Sequence, residues 1–313
     1  MELIRGIHNI RARHRGCVLT IGNFDGVHLG HQAVLRQVVE KARALNLPAT
    51  VMLFEPQPLE LFKGEKAPAR LSRLRDKYTQ LAKLGVDRLL CVNFTPAFAA
   101  MSADHFVDRL LVEQLGVKFL VVGDDFRFGL KRSGDFARLA RAGQEHHFDV
   151  VSTESFCVSD RRVSSTAIRD ALAAGHLAEA ADMLGRPYSI CGRVAHGRKL
   201  GRTIGFPTAN VLLKRRVSPV SGVYAVQVEG AVTGQRLPGV ANVGVRPTVD
   251  GVRQQLEVHL FDQSIDLYGK QLEVYLLHKL RDETKFASID ALKMQIQRDA
   301  SAARAWLADV NNV

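Results

Sequence analysis

The sequence contains no run of eighteen apolar residues, which argues against a membrane-spanning helix. Its opening residues, MELIRGIHNIRARHRG, lack the apolar stretch of a signal peptide, so a cytoplasmic protein with no membrane partner is expected. Cysteine is scarce. Cys17, Cys91, Cys157 and Cys191 are widely spaced and form no Cys-x-x-Cys pair, which speaks against both a disulfide framework and a cysteine zinc site. There is one tryptophan, no internal repeat and no low-complexity segment.

What is present is an ordinary globular composition, 46% hydrophobic and 24% charged, in 313 residues, enough for two domains. The net charge of +11 is unevenly spread. Up to residue 185 there are 25 basic and 21 acidic residues; beyond it there are 18 and 11. Between Arg193 and Arg216 lie seven Lys/Arg and no Asp/Glu. Such a bias suits a polyanion, either nucleic acid or a nucleotide polyphosphate. The segment has only Phe206 as an aromatic, a poor platform for stacking bases, so no nucleic-acid partner is expected.

Two periodicities alternate in the first half. CVLTIGNF, ATVMLFEP, RLLCVNF, KFLVVGDDF and FDVVSTESF read as strands; 31–46, 71–84, 102–115, GDFARLARAG, SSTAIRDALAAG and LAEAADMLG read as helices. Apolar strands alternating with helices predict an α/β fold with a parallel sheet covered on both faces, and ligands on such sheets bind beyond the carboxyl ends of the strands. Near Gly185 the pattern changes to short strand-like runs with turn signals: YSICGRVA, FPTANVLL, GVYAVQVEG, LPGVANVGV, QQLEVHLF and LEVYLLHKL. These predict a small all-β barrel. A final amphipathic helix carries Ile289, Leu292, Ile296, Ala300, Ala303, Trp306, Leu307 and Val310 on one face. The expected domains are therefore 1–185 and 186–313.

IGNFDGVHLGH, 21–31, leaves the first of those strand ends. The free N–H groups of the following helix make an anion site, and Gly22, Gly26 and Gly30 let a phosphate approach the backbone. His28 and His31, three residues apart at the helix start, can donate to a phosphate that gains charge in a transition state. Downstream, VSSTAIR again places hydroxyls (Ser164, Ser165, Thr166) and a guanidinium (Arg169) at a helix start, suited to a departing pyrophosphate, although the same residues would also serve as a plain N-cap.

The second half holds HGRKLGRTIGFPTAN, 196–210. It is not a P-loop, because Gly197 and Gly201 are separated by three residues and followed by Arg202. Gly197, Gly201 and Gly205, with Arg198, Lys199 and Arg202, can nonetheless wrap a polyphosphate. Thr208 and Asn210 alternate onto one strand face and offer oxygen ligands to Mg²⁺. In QLEVHLFD, Glu257 points away from Leu256 and Val258; it is either a base lining a cleft or a solvated strand residue.

GNFDGVHLGH and VSSTAIR resemble the paired signatures of the HxGH nucleotidyltransferase superfamily. GRTIGFPTAN, GVYAV, GVANVGVRPT, LEVHLFD, DLYG and LRDETKF resemble, in order, the riboflavin kinase module. Over about residues 1–307 the chain is similar to the prokaryotic bifunctional riboflavin kinase and FMN adenylyltransferase family. That resemblance implies a Rossmann-like nucleotidyltransferase domain before the barrel, and two reactions. Riboflavin and ATP would give FMN at the barrel, with Glu257 as base and Thr208 and Asn210 as magnesium ligands; Arg281 and Glu283, with Glu257, would meet the flavin. FMN and a second ATP would then give FAD and pyrophosphate at the first domain. There Gly22, Asn23, Phe24, Asp25, Gly26, His28, His31, Ser164, Ser165, Thr166 and Arg169 would hold ATP, and Asp125, Phe126, Phe128 and Gln57 would meet FMN. Gln57 stands where some family members carry His; it keeps a donor and loses a titratable group. A different HxGH enzyme, such as a cytidylyltransferase, would leave the second set of motifs unexplained.

Overall fold

A computed structural model describes residues 1–153, 156–158, 161–196, 205–213, 217–248 and 251–311; of 246–248, 251–253 and 310–311 only the backbone is described. The chain divides into two compact units, Met1–Pro68 with Ser72–Ser165, and Ala69–Leu71 with Thr166–Val313.

The first unit is built on a parallel sheet of β1 (Glu2–Arg5), β2 (Cys17–Ile21), β3 (Ala49–Glu55), β4 (Arg88–Asn93), β5 (Val117–Gly123) and β6 (Asp149–Thr153), in the order β1-β4-β3-β2-β5-β6. Its main helices are α1 (Leu29–Ala44), α2 (Pro58–Lys63), α3 (Leu74–Lys83), α4 (Pro96–Ala99), α5 (Ala103–His105) and α6 (Phe136–His146). Every residue of β2 is buried, and its side chains divide by parity. Cys17, Leu19 and Ile21 pack with Phe106, Leu110 and Leu111, while Val18 packs with Val38 and Ala42 of α1. Val51 and Leu53 of β3 join Leu35 of α1 and Leu81 of α3. At about 1.5–3 kcal/mol for each fully buried aliphatic side chain, this two-sided burial holds the sheet and its loops in place.

The order reverses at β2, which lies between β3 and β5, and this is where a crevice opens beyond the strand ends. Three elements go beyond the sequence expectation. The edge strand β1 is only four residues long, too short for a period. The helix expected over 102–115 runs as α5 and then as a π-helical stretch, Phe106–Gln114. After β6 the chain makes a small hairpin, β7 (Cys157–Val158) with β8 (Arg161–Arg162).

The second unit is a closed antiparallel barrel of β9 (Ser189–Ala195), β10 (Ala209–Leu212), β11 (Gly222–Glu229), β12 (Arg236–Thr248), β13 (Gly251–Leu260) and β14 (Gln271–Arg281), in the order β10-β13-β12-β11-β14-β9. Helices α7 (Ser165–Ala174) and α8 (Leu177–Leu184) group with it from Thr166 onward, although the sequence puts them before residue 185. Helix α9 (Ile289–Asn311) lays Ala300, Ala303 and Leu307 against Val223, Ala225 and Val240 on the outside of the barrel.

Candidate active sites

The turn between β2 and α1 forces the first site together. Gly26 has φ +86°, and Phe24 and Val27 also lie in the left-handed region, an arrangement held by contacts rather than by preference. Asp25 supplies several of those contacts. Its buried carboxylate accepts from the Ser72 N–H at 3.0 Å and lies 3.3 Å from the Ser72 hydroxyl, its carbonyl accepts from the Ser165 hydroxyl at 2.8 Å, and Ser72 Oγ accepts from the Gly26 N–H at 2.9 Å. The fully buried Lys77 donates to the Asn23 carbonyl at 2.8 Å. The side-chain Oδ1 of Asn23 is buried with no partner.

His28 is the N-cap of α1: its Nδ1 accepts from the His31 N–H at 3.3 Å, so the ring proton sits on Nε2. The two imidazoles stack at 3.6 Å and 17°. A side chain at position 30 would meet the His28 ring at 3.2 Å, which is why glycine stands there. His31 is half-buried, and its Nδ1 is buried with no partner. Burial, followed by the charges of His28 and Lys77, holds it well below the ordinary value of 6.5, so it is neutral near pH 7.

Gly22, Phe24, His28, Gly30 and His31 open on a cavity of about 260 Å³ that Asp125 and Phe126 close from the β5 side. Asp125 is exposed and lies 3.9 Å from Arg162. Phe126 stacks on Phe128 at 5.7 Å, and Phe128 is buried against Phe106. A second series of rings, Phe54, Phe94 and Phe98, ends at Phe62, which is 67% exposed and edge-on to Phe94 at 5.9 Å. Gln57, buried, caps α2; its backbone N–H donates to Glu60 at 2.8 Å and its side-chain Nε2 has no partner. Ser164 and Ser165 belong to this unit. Thr166 and Arg169 fall in the second, where Arg169 donates to the Ala69 carbonyl at 2.5 Å. Arg162 and Phe156, which line the cavity, and Lys77 beneath the turn stand in none of the sequence motifs. The only signal for Arg162 was the basic pair just upstream of the SST triplet.

The second site lies on the outer face of the barrel. Ala209, Val211, Leu256, Val258, Ala241 and Val243 are buried, so the residues that alternate with them face outward. Register then sets Asn210, Glu257 and Asn242 directly opposite one another across β10, β13 and β12. Gln255 Nε2 donates to Asn210 Oδ1 and, at 3.1 Å, to Glu257 Oε1. His259 Nδ1 donates to the Pro207 carbonyl at 2.9 Å, fixing the segment that carries Thr208. Glu283 reaches this face too: a Cβ at Gly244 would collide with its carboxylate.

Arg281 is clamped by the buried Asp299 of α9, with Nη2 to Oδ2 at 2.7 Å and Nε to Oδ1 at 3.0 Å; Gln295 also donates to Asp299, at 2.8 Å. Arg281 donates further to the Asp282 carbonyl at 2.9 Å and to Thr284 at 3.1 Å. A cavity of about 620 Å³ beside Thr208 is lined by Val194, Ala209, Val258, Leu260 and Tyr268. Gly205 is exposed with φ +86°; Gly197, Arg198, Lys199, Gly201 and Arg202 lie outside the described residues. No helix among the described residues is long and apolar enough to cross a membrane.

Comparison with known proteins agrees with both halves. The FAD synthetase family model matches residues 10–167, and the riboflavin kinase model matches residues 184–307. Bifunctional riboflavin kinase/FMN adenylyltransferases align along nearly the whole chain. That of Escherichia coli (strain K12) is 61% identical over 97% of each chain, that of Haemophilus influenzae 55% identical over 98% of this chain and 99% of its own, and that of Pseudomonas fluorescens 53% identical over 98% of each. A crystal structure described as a macrolide-efflux protein from Streptococcus pneumoniae superposes with a TM-score of 0.82 at 32% identity, over 98% of this chain and all of its own. With two unrelated folds matched in order and this degree of identity end to end, the chain belongs to the bifunctional riboflavin kinase/FMN adenylyltransferase family.

Proposed function

We propose that this chain phosphorylates riboflavin to FMN on the outer face of the barrel and adenylylates FMN to FAD at the β2–α1 turn. The domains, taken from the sequence as 1–185 and 186–313, would each carry one reaction. In the first, Glu257 takes the proton of the terminal ribityl hydroxyl. That oxygen bonds to the γ-phosphorus of ATP, the bond to the bridging oxygen breaks, and ADP leaves. Gln255 donates to Glu257 Oε1 and so orients the carboxylate on this face. Arg281 and Glu283 face the flavin.

The oxygen donors of Thr208 and Asn210, next to a carboxylate, fit a hard cation that keeps phosphate and water as its other ligands. Mg²⁺ bound there would neutralise charge on the ATP phosphates. The 620 Å³ cavity beside Thr208, walled by apolar residues such as Val194 and Leu260 and by polar ones such as Gln263, Ser264 and Asp266, has the size to take the base and sugar of that ATP.

In the second reaction, a phosphate oxygen of FMN attacks the α-phosphorus of another ATP and pyrophosphate leaves. The attacking oxygen is already an anion, so positioning and charge stabilisation suffice. The His28 Nε2–H and neutral His31 serve as donors to the phosphate, with the free N–H groups of α1 beside them. The exposed Phe62 and the Phe126–Phe128 stack offer faces for the isoalloxazine ring, and the unpartnered Gln57 Nε2 offers it a donor. Ser164 and Ser165 would hold the pyrophosphate end.

The observation that carries this reading is the presence, in one chain, of a phosphate-type helix start with two stacked imidazoles and of a carboxylate set in a row of oxygen donors on a barrel. Its test is stoichiometric. Full-length protein with riboflavin, ATP and Mg²⁺ should form FMN and then FAD, with two ATP consumed and one ADP and one pyrophosphate released per FAD. Release of two ADP, or FAD formation without ADP, would overturn it.

A further inference from the structure

The row across β10, β13 and β12 contains a third polar residue that neither magnesium binding nor the base requires. Asn242 lies opposite Glu257, between Ala241 and Val243, whose side chains are buried. Directly opposed residues on antiparallel strands hold their Cβ atoms roughly 5 Å apart, so the Asn242 carboxamide stands beside the Glu257 carboxylate on the same face. Two residues toward one end of β12, Val240 is covered by α9; two residues toward the other, Gly244 is covered by the Glu283 carboxylate. Asn242, half-buried, occupies the step between them, opposite Val223 of β11, and its Oδ1 is buried with no hydrogen-bond partner.

A buried acceptor is costly to leave unmet, so a ligand that supplies a donor there is strongly favoured over one that does not. Of the two substrates at this site, the ATP phosphates carry only acceptor oxygens near neutral pH. The ribityl chain carries hydroxyl donors, one of which already faces Glu257. We propose that Asn242 is a specificity residue of the kinase site, whose Oδ1 accepts a hydrogen bond from a secondary hydroxyl of the ribityl chain while Glu257 engages the terminal one. The two side chains together then read two positions of a polyol. A flavin whose side chain ends in a lone hydroxyl would leave one of them unsatisfied.

This inference rests on the kinase-site reading given above, and the experiment separates the two. Full-length protein is assayed for phosphorylation of riboflavin and of three analogues, each lacking one secondary ribityl hydroxyl. Wild type should lose about tenfold in kcat/KM on one of the three, a typical consequence of one missing hydrogen bond to a buried acceptor. Asn242→Ala should lose a similar factor on riboflavin and accept that analogue as well as riboflavin itself. Asn242→Ser, a smaller change that retains an acceptor oxygen, should keep part of the discrimination and guards against loss of folding in the alanine variant. If both variants discriminate among the analogues as wild type does, or if they raise only the requirement for ATP or magnesium, the assignment is overturned. Glu257→Gln is run in parallel on riboflavin. An active Glu257→Gln overturns the site reading as a whole; an inactive one, with unaltered discrimination in Asn242→Ala, overturns the role of Asn242 alone.

Discussion

The two sites solve the same problem, holding a polyphosphate beside an acceptor, with different architecture. In the first unit the phosphate-facing histidines and glycines leave the end of a parallel strand and sit at a helix start, within eleven consecutive residues. There the backbone itself would be the phosphate ligand, and buried side chains such as Asp25 and Lys77 lock the turn from below. In the barrel the groups sit mid-strand on three neighbouring strands. Register alone aligns Asn210, Glu257 and Asn242, and among the described residues no helix start is involved. A helix-start site depends on loop conformation and buried contacts. A strand-row site depends on parity, so each member can be replaced without moving the others.

The contrast breaks most visibly at Glu257. Glu257→Gln should cut FMN formation by about 10² to 10⁴, the usual worth of a general base, and leave conversion of FMN to FAD intact. Separate assays with riboflavin and with FMN check this; equal loss of both reactions would mean that the sites are not independent. At the other site, His28→Ala and His31→Ala should each cost about 3 kcal/mol in the FAD-forming step, roughly a hundredfold, by analogy with oxyanion donors. FMN should then accumulate from riboflavin. A variant that makes FAD at the wild-type rate would reduce that histidine to a helix cap.

Smaller effects sharpen the comparison. Asp299 touches nothing in the proposed chemistry, yet it braces Arg281 from α9. Asp299→Ala should destabilise the barrel by about 3 kcal/mol, because it leaves a largely buried guanidinium unpaired, and should raise the riboflavin KM. Denaturant unfolding and kinase kinetics check the two effects. His31 gives the first unit a pH dependence. Its folded-state value is depressed by burial, so its contribution to stability is fully present above the ordinary value of 6.5 and is lost as pH falls below it, toward the folded value. Thermal unfolding between pH 7.5 and 5 should show this loss, and His31→Gln should flatten it.

The sequence carried the fold class well because both periods were strong. The same parity that buries Leu256 and Val258 already pointed Glu257 outward. Asn242 carried the same signal, set between Ala241 and Val243, but its partners come only from pairing β12 with β13, which no local pattern states. The glycines and histidines of 21–31 were legible because helix-start chemistry is local. The burial of Asp25 was not, since Ser72 lies 47 residues away and Ser165 lies 140 away. Arg281 was placed by resemblance, whereas its brace Asp299 sits 18 residues on, in another element. The edge strand β1 escaped because four residues cannot establish alternation.

The central claim is that the chain holds two independent sites joined only by the FMN that passes between them. Mixing two full-length variants tests it most directly. Glu257→Gln alone should make no FAD from riboflavin, and His28→Ala alone should stop at FMN. The two together, with ATP and Mg²⁺, should convert riboflavin to FAD, because FMN released by one serves the other. A mixture in which FMN accumulates and FAD does not form, while Glu257→Gln still converts added FMN, would contradict the account.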